Sequence, residues 1–294
     1  MKKPNFFIVG APKCGTTSLA SWLARHPEVF MSPVKEPHFF STDFSLGDFN
    51  DENSYFALFV DACPNHIAVG EASATYLRSE VAVRNIENIY RDARYIVMLR
   101  NPIDMAYSLH WQAVFSGDEN IENFEQAWRL NSKRENGQDI PPNCRDPKVV
   151  QYRRFCSLGN QLSRLYETVD RKRVLPVFLE DLKDNTLQEW TRILAFLGVS
   201  YWDDLEFRPQ NRAKHWRWQW VRDLQRLYGE TRRRFGVPPL GWGVFKYLNR
   251  VAVKESDRMP LSNELRRELV KTFSDDIDLL AELTDRDLSH WKQI

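Results

Sequence analysis

The stretch "FFIVGAPKCGTTS", residues 6–18, joins an apolar run to a glycine-rich turn. Its glycines, Gly10 and Gly15, have the G-x-x-x-x-G spacing of a phosphate-binding loop. In the common nucleotide-binding loop a lysine follows the second glycine, whereas here Thr16 stands there and Lys13 comes earlier. A strand, such a turn and a helix N-terminus place backbone N–H groups and partial positive charge around an anion. The stretch therefore predicts a strand–loop–helix unit that binds a phosphate-like group.

Four short apolar runs have the composition of strands that are buried on both faces, namely 6–9, 67–70, 95–99 and 174–178. Helical patterns lie between or after them, at 17–25, 81–90, 159–169 and 187–197, the last stopped by Gly198. This alternation predicts an α/β protein with a P-loop-type three-layer fold, a central parallel sheet flanked by helices. Ligands of such sheets bind at the carboxyl ends of the strands, which selects residues 10–18, 71–76, 100–108 and 180–181.

The composition is that of a globular protein, with 294 residues, 43% hydrophobic residues and a formal charge of +1. We expect one domain over 1–294, and the low net charge gives no reason to expect nucleic acid as a partner. Neither disulfides nor structural zinc is expected, because the four cysteines are scattered and have no metal-ligand spacing. They are Cys14, Cys63, Cys144 and Cys156.

No apolar stretch approaches the roughly 20 residues of a membrane span, and "FFIVGA" is too short for a signal-peptide core. Both observations favour a cytoplasmic protein.

The position of the lysine bears on the chemistry. Magnesium-dependent phosphoryl transfer uses Lys-Ser/Thr after the second glycine and an acidic residue that holds the metal after another strand. Here the run 95–99 leads into Arg100, and the acidic pair Glu180–Asp181 is the one candidate for a metal ligand of this kind. Neutralisation of charge by protein cations is the simpler interpretation, so the sequence predicts group transfer without a metal.

Two motifs together resemble those of the sulfotransferases that use 3′-phosphoadenosine 5′-phosphosulfate (PAPS). "APKCGTTSL" is similar to the family's "PKxGTT"-type loop, and "LRNPIDMAYS" places Arg100 and Ser108 at the spacing of its second signature. The late segments "VFLEDLKDN", "FLGV" and "LSNELRRELVKTF" are similar to bacterial members, so the resemblance covers essentially the whole chain. It implies transfer of a sulfuryl group, directly and in line, to a hydroxyl or amine of a small-molecule, carbohydrate or lipid acceptor. PAPS would be the donor and PAP the product.

The resemblance also implies which residues hold the donor. The loop would bind the 5′-phosphosulfate through Lys13, Cys14, Gly15, Thr16, Thr17 and Ser18. Arg100 and Ser108 would bind the 3′-phosphate. Charge grows on the bridging oxygen as the sulfuryl group departs, and the Lys13 ammonium is suited to stabilise it there.

The candidate base lies in "SPVKEPHFF", which Pro33 and Pro37 keep out of a helix. In the glycosaminoglycan and heparan-sulfate branch of the family a glutamate in an "E-x-H-F-F" segment is the base, which implies Glu36, with His38 beside it. His110 is the alternative, because the cytosolic small-molecule branch uses a histidine, although that histidine lies elsewhere.

One departure from that branch concerns the acceptor. The branch often carries a lysine in a "VEKTPAY"-like segment, and here the segment reads "GEASATY", with Ala72 in place of the lysine. A glycosaminoglycan acceptor is therefore not expected. The acceptor pocket should involve residues 39–60 and the polar, turn-rich stretch 116–148, which we interpret as an insertion or lid with a short helix at 124–130.

Residues 208–254 form a basic, tryptophan-rich segment with twelve Lys and Arg against two Asp and Glu. Three interpretations fit this segment. In the first it is a helix with Trp220 and Leu224 on its core face, and in the second arginines such as Arg212 or Arg217 close over the 3′-phosphate. In the third it makes peripheral contact with a membrane. The first two together are favoured. Further on, a helical stripe predicts a helix that packs on the core, with the apolar positions Leu265, Leu269, Phe273, Ile277 and Leu280.

Two other classes of function fit parts of the pattern. The first is a P-loop kinase or NTPase, against which the missing lysine after Gly15 argues. The second is a non-catalytic protein that has kept the nucleotide site. Ala72, in place of the lysine of the glycosaminoglycan branch, is the reason to consider this alternative.

Overall fold

The computed structural model of the chain describes residues 2–47, 49, 51–202, 214–216, 253–255 and 260–294. The basic segment 208–254, with Arg212, Arg217, Trp220 and Leu224, therefore lies outside the described residues except for two three-residue strands. The interpretations of that segment stay predictions.

A five-stranded parallel sheet lies at the centre of the fold, with the strand order β2-β3-β1-β4-β5. Its strands are β1 (Phe6–Gly10), β2 (Val29–Met31), β3 (Ala68–Ala72), β4 (Arg94–Leu99) and β5 (Val174–Phe178). A separate antiparallel pair joins β6 (Lys214–Trp216) to β7 (Val253–Glu255). The predicted α/β fold with a central parallel sheet is confirmed.

The register of the sheet brings the ends of three strands together. In β1, Phe6 lies opposite Gly70 of β3 on one side and Arg94 of β4 on the other. The side chains of 6–9 and 95–99 are fully buried, as expected of strands covered on both faces. The loops that follow β1, β3 and β4 are therefore neighbours at one edge of the sheet.

The helices include those that the sequence patterns predicted at 17–25, 81–90, 124–130, 159–169 and 187–197, each within two residues. They are α1 (Thr16–Leu23), α2 (Glu52–Ala57), α3 (Ala82–Ile89), α4 (Pro102–Ser116), α5 (Phe124–Arg129), α6 (Asn131–Glu135), α7 (Tyr152–Cys156), α8 (Leu158–Thr168), α9 (Leu179–Asp184), α10 (Thr186–Leu197) and α11 (Asn263–Thr284). Short 3-10 helices occupy Pro147–Val150, Arg171–Arg173 and Ser289–Lys292. Among the described residues, no helix has the length and apolar composition needed to cross a membrane.

The helix α11 packs against α8, and its apolar stripe predicted that it packs on the core. Its side chains at 265, 269, 273, 277 and 280 are all buried. The Asp276 carboxylate accepts the backbone N–H groups of Gly159 and Asn160, both at 2.9 Å, and so caps the start of α8. A Cβ on Gly159 would lie 2.3 Å from the Asp276 carbonyl oxygen, so this contact needs glycine. The terminal helix is therefore part of the core.

The chain forms two compact units. One comprises Met1–Leu109, Arg153–Gln210 and Asn263–Ile294 and holds the parallel sheet; the other comprises His110–Tyr152 and Asn211–Ser262. In the second unit Arg134 pairs with Glu119 at 2.6 Å, and both side chains are fully buried. Burial alone would raise the pKa of Glu119, but hydrogen bonds from Arg134 and Tyr152 and the Arg134 charge hold it below its usual range. That one domain spans 1–294, with 116–148 as an insertion or lid, stays a prediction.

Candidate functional site

The glycine loop is held against the ends of two neighbouring strands. The Ala11 N–H donates to the Met98 carbonyl of β4, and the Leu77 N–H donates to the Val9 carbonyl, each at 2.7 Å. A Cβ on Gly10 would lie 2.8 Å from the Leu77 Cβ, so only glycine allows this close approach. Gly15 has φ +91°, a left-handed conformation that glycine adopts without strain.

The loop leads directly into the N-terminus of α1, which has the features of an anion site. Gly15 is the N-cap and provides no capping side chain, and the first turn of the helix contains no acidic residue. The first N–H groups of a helix lack partners within it and carry partial positive charge. Thr17 and Ser18 are half-buried in this first turn, whereas Thr16 is buried.

Arg100 follows β4 and reaches the loop that follows β1. Its Nη1 donates to the Lys13 carbonyl oxygen at 3.2 Å, and its Nη2 lies 3.9 Å from Asp104 Oδ2. The backbone that carries Lys13 is thus held by a second cation. Both predicted phosphate-binding motifs meet at one edge of the sheet.

Three of the predicted donor-binding residues are buried, namely Cys14, Thr16 and Ser108. The Cys14 thiol is fully buried, donates to the Pro12 carbonyl at 3.4 Å and lies 3.8 Å from Met105 Sδ. Burial raises the pKa of Cys14 to about 12, so the thiol stays neutral. Ser108 lies on α4 with only 4% of its surface exposed. Cys14 therefore supports the loop from the core side, and the part of Ser108 in binding stays a prediction.

The segment with Glu36 and His38 is fixed to the end of β3 and the turn after it. The Glu36 N–H donates to the Ala72 carbonyl at 2.9 Å, and the His38 N–H donates to Ser73 Oγ at 3.1 Å. His38 Nδ1 lies 2.8 Å from Thr75 Oγ1, and its Nε2 lies 3.8 Å from Glu36 Oε2. The Glu36 carboxylate is 39% exposed and also contacts the Lys35 ammonium. Glu36 and His38 are therefore held together at the same edge of the sheet as the loop.

Backbone conformation marks these residues independently of their chemistry. Among the described residues, five other than glycine have positive φ, and three of these are Lys13 at 64°, Glu36 at 61° and His38 at 55°. This conformation costs a side-chain-bearing residue about 1–2 kcal/mol and persists where the surroundings enforce it, commonly at functional sites. Strained backbone is thus concentrated where the sequence motifs predict function.

A buried carboxylate lies directly beneath this segment. Glu71 of β3 is fully buried and accepts hydrogen bonds from Ser73 Oγ and Tyr76 at 2.7 Å and from Tyr55 at 3.2 Å. Burial raises the pKa of Glu71 to about 7, although the three hydroxyl groups lower it and thereby offset part of the shift. Glu71, Ser73 and Tyr76 lie in the "GEASATY" segment that the sequence analysis selected, whereas Tyr55 comes from α2 and belongs to no motif.

The family model described as "Sulfotransferase domain" matches residues 3–229, which is more than half of the chain. This chain belongs to the sulfotransferase domain family. A crystal structure of a sulfotransferase from Alicyclobacillus acidocaldarius is 29% identical, covers 100% of both chains and has a TM-score of 0.72. The similarity to that sulfotransferase confirms the P-loop-type fold.

Among characterised relatives, human carbohydrate sulfotransferase 15 is 31% identical over 147 residues, which cover 36% of this chain and 26% of that protein. The human bifunctional heparan sulfate N-deacetylase/N-sulfotransferase 2 is 34% identical over 120 residues, covering 39% of this chain and 13% of that protein. The chain thus spans about a quarter or less of these sulfotransferases.

His110, the alternative base, lies in a different environment from Glu36. Its ring is fully buried, its Nε2 lies 2.8 Å from the Ile121 carbonyl oxygen, and its neighbours are the rings of Trp111, Phe124 and Tyr152. This is the environment of a core histidine.

A pocket of about 610 Å³ opens beside His38. Its described walls are aromatic and neutral polar residues with one glycine, one isoleucine and one carboxylate: His38, Phe39, Phe40, Ser41, Thr42, Phe44, Ser45, Gly47, Phe49, Glu52, Asn85, Asn88 and Ile89. Most of these belong to the 39–60 stretch in which the acceptor site was predicted. Across the described ranges, no group of three His, Cys, Asp or Glu side chains could hold a metal ion, and transfer without a metal stays a prediction.

Proposed function

We propose that this chain transfers a sulfuryl group from PAPS directly to a hydroxyl or amine of an acceptor. The hydrogen bond from Arg100 to the Lys13 carbonyl carries the proposal, because it joins the two motifs expected to hold the two phosphate ends of one nucleotide. Membership of the sulfotransferase family supports PAPS as the donor.

The residues present fit an anionic donor. The N-terminus of α1 has no capping side chain, its first turn contains no acidic residue and Gly15 is left-handed, so its first backbone N–H groups are available to an anion. Thr17 and Ser18 provide hydroxyl groups at the same point. PAPS, when bound, supplies the sulfuryl group and a phosphate as the leaving group.

Two side chains carry the chemistry in this proposal. The Glu36 carboxylate takes the proton from the acceptor as the new bond to sulfur forms. The Lys13 ammonium faces the leaving phosphate and stabilises the electron pair that this group receives, since charge develops there only as the bond to sulfur breaks. His38 lies against Glu36 and orients it, whereas the ring of His110 is fully buried.

We propose that the acceptor enters through the pocket beside His38. Its described walls contain aromatic rings, hydroxyls and amides but no lysine or arginine, which suits a neutral carbohydrate or another neutral hydroxylated acceptor better than a polyanion. Ala72 in place of a lysine agrees with this.

Replacing Asn88, an exposed residue of this pocket, by tryptophan should fill part of the space. We expect the KM for the acceptor to rise about tenfold, as for one lost pocket contact, while PAP binds as before. Steady-state kinetics and calorimetry measure the two effects. An unchanged acceptor KM would place the acceptor elsewhere.

Replacing Arg100 by alanine should mainly weaken nucleotide binding. A hydrogen bond to a charged group contributes about 1.5–3 kcal/mol, so we expect the Kd for PAP to rise about 10- to 100-fold. Isothermal calorimetry measures it, with Arg129→Ala as the control, because Arg129 is an exposed arginine paired with Glu125. An unaltered Kd would remove Arg100 from the nucleotide site.

The kinase alternative requires acidic residues available for a metal. Asp181 is paired with Arg286, and Glu180 accepts the Trp291 indole N–H at 3.1 Å. Both acids are therefore engaged in holding the C-terminal residues, which favours the sulfotransferase proposal. Magnesium-dependent binding of ATP in calorimetry would support the kinase.

Labelled PAPS and a panel of acceptors test the function directly. The panel contains a phenol, a neutral oligosaccharide, a glycosaminoglycan and a hydroxylated lipid, and the proposal expects transfer to at least one neutral member. If PAP raises the Tm but no acceptor is turned over, the non-catalytic alternative gains support.

We further propose a bacterial source and a cytoplasmic location. The similarity to a bacterial structure supports the first, and four free cysteines support the second.

A further inference from the structure

Glu71 is connected to the candidate base segment through two hydroxyl groups. Ser73 Oγ donates to Glu71 and accepts the His38 N–H at 3.1 Å. The Tyr76 hydroxyl donates to Glu71 and accepts the Phe40 N–H at 3.3 Å. The backbone at both ends of the 38–40 stretch is thus bound to hydroxyl groups that are themselves oriented by one buried carboxylate.

The direction of these hydrogen bonds depends on the charge of Glu71. A hydroxyl group has one proton and two lone pairs, and an ionised carboxylate only accepts. With Glu71 ionised, Ser73 and Tyr76 direct their protons to it and their lone pairs to the two N–H groups. Each donor and acceptor in this network then has a partner.

We propose that Glu71 is a positioning residue whose ionised form orients Ser73 and Tyr76 and thereby fixes the segment that carries Glu36 and His38. This inference rests on the proposed function, since it concerns where the base meets the acceptor. A protonated Glu71 must donate its own proton to one of these oxygens. The hydroxyl concerned then accepts the carboxyl proton with its second lone pair, and its own proton loses the carboxylate as acceptor, so the orientation that fixes the segment is lost.

The titration of Glu71 gives this arrangement a pH dependence. The titratable groups that act on it are Tyr55 of α2, Tyr76, Tyr90 after α3, and Glu36. Burial raises the pKa of Glu71 from 4.5 to about 7. Because its folded pKa lies above the unfolded value, its contribution to stability is greatest below about pH 4.5 and is lost as the pH rises through about 7. Activity should run in the opposite direction, rising with pH as Glu71 ionises.

Glu71→Gln tests the proposal, because an amide imitates the protonated carboxyl in presenting both a donor and an acceptor. At pH 8 we expect kcat to fall about 100-fold, the loss typical of a small misplacement of catalytic groups. The Kd for PAP should stay within about twofold, and the Tm at pH 8 should be equal to or higher than that of the wild type. The rise of kcat with pH near 7 should disappear. A purely structural role predicts the reverse pattern, a lower Tm with an unaltered pH profile of kcat.

Glu87→Gln is the matched control. Glu87 accepts the Tyr95 hydroxyl at 2.6 Å within the same unit but forms no described contact with the 36–40 segment. This variant should keep the pH profile of the wild type.

Ser73→Ala provides a second test if Glu71→Gln does not fold, since it removes the link to His38 and keeps the carboxylate. It should lower kcat without weakening PAP binding. Tyr55→Phe should move the rise in activity to higher pH, because one hydrogen bond that lowers the Glu71 pKa is lost.

A measurement without substrate separates this proposal from the proposed function. The six histidines give ring signals in NMR spectra, and the His38 signal is assigned by its loss in His38→Gln. Glu71→Gln and Ser73→Ala should shift the His38 signal, and Glu87→Gln should leave it in place. If the signal moves but no acceptor is ever turned over, the network is right and the sulfotransferase proposal fails. An unmoved His38 signal, or a Glu71→Gln enzyme with the wild-type kcat and pH profile, overturns the positioning role.

Discussion

Lys13→Ala is expected to lower kcat about 100- to 1,000-fold, the loss that follows removal of one donor that stabilises transition-state charge. The ammonium meets a charge that develops only as the bond to sulfur breaks, so its loss affects the transition state more than the bound nucleotide. The left-handed backbone of Lys13 and the hydrogen bond from Arg100 to its carbonyl fix the start of this side chain. Single-turnover kinetics with labelled PAPS measure the chemical step apart from product release.

The Kd for PAP in Lys13→Ala should rise much less than kcat falls, because backbone N–H groups and Arg100 still bind the nucleotide. Lys172→Ala, at an exposed position in a short 3-10 helix, is the control and should behave as the wild type. A Lys13→Ala enzyme with normal turnover would contradict the assignment of the leaving group. A variant that loses PAP binding and turnover in equal measure would assign Lys13 to ground-state binding instead.

The elements that could be predicted from the sequence are those with a strong local pattern. The strands of the central sheet are apolar nearly throughout, and Gly198 ends α10 with φ 73°, as a glycine C-cap does. The three-residue strand β2 was not predicted, because Val29–Met31 is short and its pairing with β3 depends on residues far along the chain. Strand order likewise depends on non-local pairing, which no local pattern of residues encodes.

The same distinction applies to the candidate site. Residues after the ends of parallel strands meet because the strands are neighbours, so the meeting of Lys13 with Arg100 could be predicted. The burial of Cys14 and His110 could not, because it depends on which face of the loop or helix packs inward. Glu71 was noticed only as part of a motif, since its partner Tyr55 lies 16 residues earlier on another element.

Glu36→Gln is expected to lower kcat by about 10²- to 10⁴-fold, the usual contribution of a general base. The amide keeps the size of the side chain and its contact with His38 but does not take a proton at neutral pH. Nucleotide binding depends on the loop and Arg100, so the Kd for PAP should equal that of the wild type. Glu125→Gln is the matched control and should retain full activity, because Glu125 is a half-buried glutamate whose side chain is 40% exposed and pairs with Arg129.

The histidines make the test of Glu36 selective. If Glu36 is the base and His38 orients it, His38→Gln should lose less activity than Glu36→Gln. The double variant should lose little more activity than Glu36→Gln alone, because the two residues act as a unit. Full activity in Glu36→Gln, with a large loss in His38→Gln, would assign the proton to His38. Loss of turnover only in His110→Gln would assign the role of base to His110. The ring of His110 is fully buried and contacts the Ile121 carbonyl, so we expect this variant to have a packing defect instead, detectable as a lower Tm.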